Sequence, residues 1–196
     1  MLLKYLIYLC IINSLLLAQN TVYTFEDSDL TDWKQSGQWE IQTDGDSTYL
    51  SLTERSADAF NLVYTNKVAF LNGTITLRFR ANHGVIDQGG GIAWRVQDAD
   101  NYYIARFNPL EDNFRFYIVR DGIRTEISSG EIKLEKGWHT MKITQQGTLF
   151  RGFIDGKELL YAKDDRLRKK GGVGIWTKAD AMTSFDDLTI TKENIK

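Results

Sequence analysis

The sequence has one cysteine, one proline and two histidines among its 196 residues. A single thiol, Cys10, allows no intrachain disulfide, and it falls inside the first 18 residues, so the rest of the chain carries no cysteine chemistry. His83 and His139 are far apart and have no cysteine neighbours, which excludes the usual zinc spacings. The lone Pro109 leaves no proline-rich linker, and no segment repeats or changes composition, so one domain is expected. A formal net charge of −2 offers no global attraction to nucleic acid or to an anionic membrane surface, and neither is expected as a partner. Beyond residue 18 no run repeats apolar residues three and four apart over ten positions, so helices are not expected.

Residues 1–18, MLLKYLIYLCIINSLLLA, place one lysine before an apolar run and end on Ala18 with Leu16 two positions earlier. This is the layout of a secretory signal peptide. A retained N-terminal anchor is the alternative. Cleavage after Ala18 would leave 178 residues, enough for one domain with a full core, and losing Lys4 would take the formal charge to −3. The expected location is secreted or periplasmic, with no membrane contact after cleavage.

What the chain has in abundance is period-two alternation punctuated by glycine, asparagine and aspartate. The stretch from Gly89 to Arg124 reads as three consecutive strands. Ile92, Trp94 and Val96 are expected on the core face, with Ala93, Arg95 and Gln97 opposite. Tyr103, Ala105 and Phe107 oppose Tyr102, Ile104, Arg106 and Asn108, and Phe114, Phe116 and Ile118 oppose Arg115 and Tyr117. Thr74 to Arg80 alternates in the same way, with Arg78 and Arg80 away from Ile75, Leu77 and Phe79. Hairpin turns are signalled at Asp44-Gly45, Asn72-Gly73, Asp121-Gly122 and Asp155-Gly156. About a dozen short strands spaced this way predict an all-β sandwich or barrel.

The segments GGIAWR, DADNYYIARFNPLEDNFRFY, GWHTMKI, FIDGKEL and GGVGIWTKADAMTSFDDLTI resemble the concanavalin A-like, laminin G-type jelly roll of exported bacterial proteins. Within that group the chain is most similar to the 3-keto-disaccharide hydrolase-like domain often labelled DUF1080, over nearly all of a single domain expected at residues 19–196. The resemblance implies two six- or seven-stranded antiparallel sheets, one bent to make a concave face. On that face the alternation would gather Arg78, Arg80, Arg95, Arg106, Asn108, Arg115, Tyr117, Trp176 and Lys178.

Such a strip has the chemistry of saccharide recognition. Aromatic faces stack on the C–H side of a pyranose, asparagine and arginine meet hydroxyls, and guanidinium forks suit the carboxylate of a sugar acid. The family 16 glycanases with this sandwich carry Glu-x-Asp-x-x-Glu on one strand, and no glutamate here has an aspartate two positions on. A non-catalytic saccharide-binding module is therefore expected. The alternatives are a keto-disaccharide hydrolase using Glu111 or Asp180 with His139, and an adhesion module that meets another protein. Similar carbohydrate-binding modules hold a structural Ca²⁺ at the seam of first and last strands, which points to Glu26, Asp27, Asp186 and Asp187; no other cofactor is implied. Nothing in the sequence specifies an oligomeric state.

Overall fold

Each alternating run forms a strand, and among the described residues no helix forms. The structure, a computed structural model, describes residues 19–26, 30–54 and 60–193. The expected leader, Asp27 and most of the loop expected from Arg55 to Asn61 lie outside them.

In chain order the strands are β1 (Gln19–Tyr23), β2 (Lys34–Ser36), β3 (Trp39–Asp44), β4 (Ser47–Leu52) and β5 (Phe60–Phe70). Next come β6 (Gly73–His83), β7 (Gly90–Asp98), β8 (Asn101–Asn108), β9 (Asn113–Arg120) and β10 (Ile123–Glu131). The last five are β11 (His139–Gln146), β12 (Leu149–Ile154), β13 (Lys157–Lys163), β14 (Gly171–Lys178) and β15 (Met182–Lys192). An eight-stranded sheet runs β13-β12-β11-β6-β15-β4-β3 with β1 also on β15, and a seven-stranded sheet runs β10-β9-β8-β7-β14-β5-β2. The chain is thus an all-β, two-sheet antiparallel jelly-roll sandwich.

The main core lies between the sheets, where alternation sends Ile75, Leu77 and Phe79 of β6 and Met141 and Ile143 of β11 against β7, β8 and β9. At its centre Trp94 stacks on Tyr103 at 5.4 Å and meets Phe116 and Phe150 edge-on at 5.7 Å. These offset and T-shaped pairs contribute about 0.5–1.5 kcal/mol each beyond area burial.

A second apolar cluster covers the outer face of the seven-stranded sheet: Leu62, Tyr64, Ala93, Val96, Tyr102, Ile104, Tyr117, Val119 and Trp176. Curvature explains its burial. Arg124, on edge strand β10, lies 5.5 Å from the rings of Trp176 on β14 and Phe60 on β5. In a flat sheet β10 and β5 would be about 24 Å apart, at about 4.8 Å per strand. The sheet therefore rolls its edge inward, and its outer face is the concave one.

Val96 corrects the expected alternation of β7. Alternation puts it in the core with Trp94, yet it lies in the outer cluster. The cause is a bulge at Arg95, whose φ of 49° inserts an extra residue as the pairing with β8 and β14 slips.

Candidate functional site

The bulge decides the fate of Arg95. Instead of joining the concave face, its guanidinium turns to the end of the sandwich and donates to the carbonyls of Leu71, Leu167 and Gly147 at 2.8–3.1 Å. It is 2% exposed and ties together three loops at that end of the sandwich, with the Gln145 side-chain amide also donating to the Gly147 carbonyl at 2.8 Å.

Arg78 and Arg80 are also absent from the concave face, because β6 belongs to the other sheet. There both guanidinium groups approach the Trp138 ring, at 4.9 and 5.0 Å, and Arg80 also lies 5.4 Å from Tyr49. The strip expected to be continuous is split between two opposite surfaces. Sequence alternation reports which face of its own sheet a residue occupies, and two sheets have two outer faces.

What remains together on the concave side is Arg106, Asn108, Arg115, Tyr117, Trp176 and Lys178. Cross-strand register sets Arg115 beside Arg106, Arg106 beside Gly91, and Gly91 beside Trp176. Two like charges side by side would repel. Carboxylates resolve this. Arg106 Nη2 is 2.5 Å from Asp87, its Nη1 is 3.7 Å from Glu111, and Glu111 also takes Arg115 Nη1 at 3.0 Å. Glu126 stands 3.3 Å from Arg115 Nε. A hydrogen bond from Asn113 holds the Glu111 carboxyl below the usual carboxylate range against the opposing effect of burial, and Arg106, Arg115 and Arg124 reinforce the shift.

The aromatic part of the face is packed rather than open. Trp176 is 0% exposed, and its Nε1 donates to the Tyr102 hydroxyl at 3.3 Å. Burial pushes the Tyr102 hydroxyl up to about 12, with the Trp176 hydrogen bond opposing it. Arg124 lies 4.5 Å from the Tyr117 ring, closing over the cluster. Asn108 is buried as well and accepts the Leu110 N–H at 2.9 Å, which shapes the turn that carries Glu111. Lys178 is half-buried at the end of β14, paired in register with Phe60.

Asp180 and His139 are engaged elsewhere. The Asp180 carboxylate accepts three backbone N–H groups, from Val85 at 2.8 Å, Ile86 at 3.0 Å and Asp87 at 2.9 Å. It thereby pins the loop that presents Asp87 to Arg106. His139 faces the core side of β11 as the alternation indicates, but at the rim, lining a cavity of about 580 Å³ with Phe79, His83, Phe107, Lys133 and Lys136. Its Nδ1 is 2.6 Å from Asp155 and its Nε2 is 2.8 Å from the Glu135 carbonyl, so both ring nitrogens are engaged.

At the seam of β15, Asp186 and Asp187 both face Arg78 Nη1, at 3.4 and 3.1 Å. Burial pushes the Asp186 carboxyl up; the Asp187 amide and Arg78 oppose the rise, while the Asp187 and Glu26 charges add to it. A guanidinium between two carboxylates answers the charge that a Ca²⁺ ion would otherwise meet, so these donors do not fit the ion. Among the described residues no three histidine, cysteine, aspartate or glutamate side chains group closely enough to hold a metal.

Sequence reading missed Asp87, Arg124 and Glu126. Asp87 sits in the irregular segment between β6 and β7, and Arg124 is the second residue of an edge strand whose curl no local pattern reveals. Asp87 alone left a trace, one carboxylate in the otherwise uncharged run Gly84 to Gly91.

Residues 20–191 match the family model described as the 3-keto-alpha-glucoside-1,2-lyase-like domain. Among solved structures, the carbohydrate-binding module CBM66 of Bacillus subtilis superposes with a TM-score of 0.69 at 18% identity, covering 81% of this chain and 95% of that one. A Bacillus licheniformis beta-glucanase gives 0.64 at 11% identity, covering 89% and 98%. A Bacillus subtilis protein with a galectin-like fold gives 0.64 at 15% identity, covering 87% and 94%. No curated protein matches the sequence significantly.

Proposed function

The chain belongs to the family of 3-keto-alpha-glucoside-1,2-lyase-like domains, and on that premise we propose that it is an exported, non-catalytic module that binds a saccharide on the concave face of the seven-stranded sheet. One observation carries this reading. Arg106 is held between Asp87 and Glu111 beside Arg115, so charged donors and acceptors with fixed geometry lie next to a bed of aromatic side chains. Rigid, alternating donors and acceptors suit the vicinal hydroxyls of a sugar. The fold shared with a carbohydrate-binding module is consistent with that use.

Catalysis is disfavoured by the same groups. Glu111 is held in its ionised form, whereas a general acid works best with a pKa near the operating pH. Asp180 spends its oxygens on backbone amides, and His139 has both nitrogens engaged.

A glycan array tests the proposal, with Arg106→Ala as the site variant and Arg78→Ala, on the opposite sheet, as the control. Binding by the parent protein that is lost in Arg106→Ala and kept in Arg78→Ala supports it. Loss in the Arg78 variant instead would move the site to the other sheet and overturn the concave-face assignment, and no glycan bound by the parent protein would overturn the saccharide reading in favour of its alternatives.

A second reading, hydrolysis or elimination of a keto-disaccharide, is favoured by one feature: Asp87 and Glu111 both contact one guanidinium, which brings two carboxylates to one locus. Turnover of a 3-keto-disaccharide that disappears in both Asp87→Asn and Glu111→Gln would establish it.

A further inference from the structure

Three guanidinium groups approach the concave face, and they differ in how their charge is met. Arg106 has Asp87, and Arg115 has Glu111 and Glu126. Arg124 has no carboxylate within ion-pair distance among the described residues, and its Nη1 is buried without a hydrogen-bond partner. Its neighbours are instead the rings of Tyr117, Trp176 and Phe60, at 4.5, 5.5 and 5.5 Å.

Such an arrangement is costly unless something completes it. A buried donor with no acceptor forfeits the hydration it had in the unfolded chain, and cation–π contact restores only part of that loss. Burial and the nearby Arg106 charge work against the protonated form of Arg124, while Tyr117 and, from beyond ion-pair distance, Asp87 and Glu111 favour it. Arginine nevertheless stays charged in proteins, so the environment leaves a cation in want of an anion rather than a neutral group. The aromatic rings that surround it fix the guanidinium plane in advance, which lowers the entropy cost of binding a planar oxyanion.

Resting on the saccharide-binding reading above, we propose that Arg124 is the specificity-determining receptor for an anionic substituent, a carboxylate or a sulfate ester, on the bound sugar. The substituent accepts N–H groups of Arg124, while the ring hydroxyls lie toward Arg106, Asp87 and Glu111. The ligand class is then an acidic saccharide. Asp87 and Glu111, already committed to Arg106 and Arg115, orient the sugar and reach Arg124 only from beyond ion-pair distance, leaving its Nη1 without an acceptor.

Equilibrium titration of the full chain with methyl α-glucoside, methyl α-glucuronoside and glucose 6-sulfate tests this, using the ratio of affinities as the readout. The parent protein is expected to prefer one or both acidic sugars about tenfold or more over the neutral one, and to lose that margin at high salt. In Arg124→Gln the ratio is expected to fall to about one, and in Arg124→Lys, which keeps the charge without the fork, to an intermediate value. Circular dichroism of each variant confirms that it folds. Preference for the glucuronoside alone identifies a carboxylate receptor, and preference for the sulfate alone a sulfate receptor. Equal affinity for acidic and neutral sugars in the parent protein overturns the role of Arg124 and leaves saccharide binding intact, as does an acidic preference that survives Arg124→Gln. Failure of every sugar to bind removes both readings.

Discussion

The carboxylate of Asp180 accepts the backbone N–H of Asp87 at 2.9 Å, and the carboxylate of Asp87 accepts Arg106 in turn. Two acidic residues from different loops are thus linked through one peptide group: the first fixes the backbone and the second presents the charge. This places the organising element of the concave site one layer behind it, in the connection between β14 and β15.

Replacing Asp180 with alanine is expected to destabilise the fold by about 3 kcal/mol, since hydrogen bonds to a charged group contribute about 1.5–3 kcal/mol each and loop amides recover part of that from water. In a chain of this size that corresponds to a melting temperature lower by about 6–12 °C. Asp180→Asn keeps one acceptor and is expected to fall between. A melting curve unchanged by either substitution would mean that the loop does not depend on this anchor.

Arg106 and Asp87 form a pair whose side chains are 2% and 6% exposed. Removing either partner leaves a buried charge uncompensated, at a cost of about 3–5 kcal/mol. In a double-mutant cycle with Arg106→Met and Asp87→Leu, the double variant is expected to be more stable than either single one. Additive losses would show that the pair is not coupled.

Arg95→Met is expected to lower stability by about 2–4 kcal/mol, because three loop carbonyls lose a charged donor. Saccharide affinity is expected to stay as it was, since the side chain turns away from the concave face. Chemical denaturation and glycan titration on the same sample separate the two effects, and a loss of affinity at full stability would return Arg95 to the site.

The Tyr103 hydroxyl donates to Asp164 at 2.7 Å and accepts the Leu167 N–H at 3.1 Å, so it gives the fold two pH limbs. Burial raises the Asp164 carboxyl, but hydrogen bonds from Arg166 and Tyr103 outweigh it and hold the group below its ordinary value. A lowered folded pKa adds stability above about pH 4 that is lost as pH falls through the folded value. Burial, and then the bond to Asp164, raise the Tyr103 hydroxyl well above its ordinary value. That contribution is complete below about pH 10 and is lost as pH rises beyond it. Tyr103→Phe is expected to flatten both limbs of a stability–pH curve, and an unchanged curve would contradict the assignment.

Added Ca²⁺ or a chelator is expected to leave the melting temperature unchanged, because Arg78 already meets Asp186 and Asp187. A rise of several degrees with Ca²⁺ alone would show that the seam exchanges its guanidinium for a metal.

Local alternation and turn signals were enough to place the strands, their turns and the inter-sheet core apart from Val96, but not the second cluster that buries Tyr117 and Trp176. Phe114, Phe116 and Ile118 are buried together, as period-two alternation requires, because a pleated strand must send successive side chains to opposite faces. The absence of a Glu-x-Asp-x-x-Glu pattern likewise rules out one catalytic apparatus from the sequence alone. Tertiary structure alone decided which outward residues meet. Sheet membership separated Arg78 and Arg80 from Arg106, a single bulge withdrew Arg95, and the curl of β10 carried Arg124 over Trp176. Alternation is a local property of the backbone, whereas sheet order, bulge position and curvature come from contacts between strands distant in the chain.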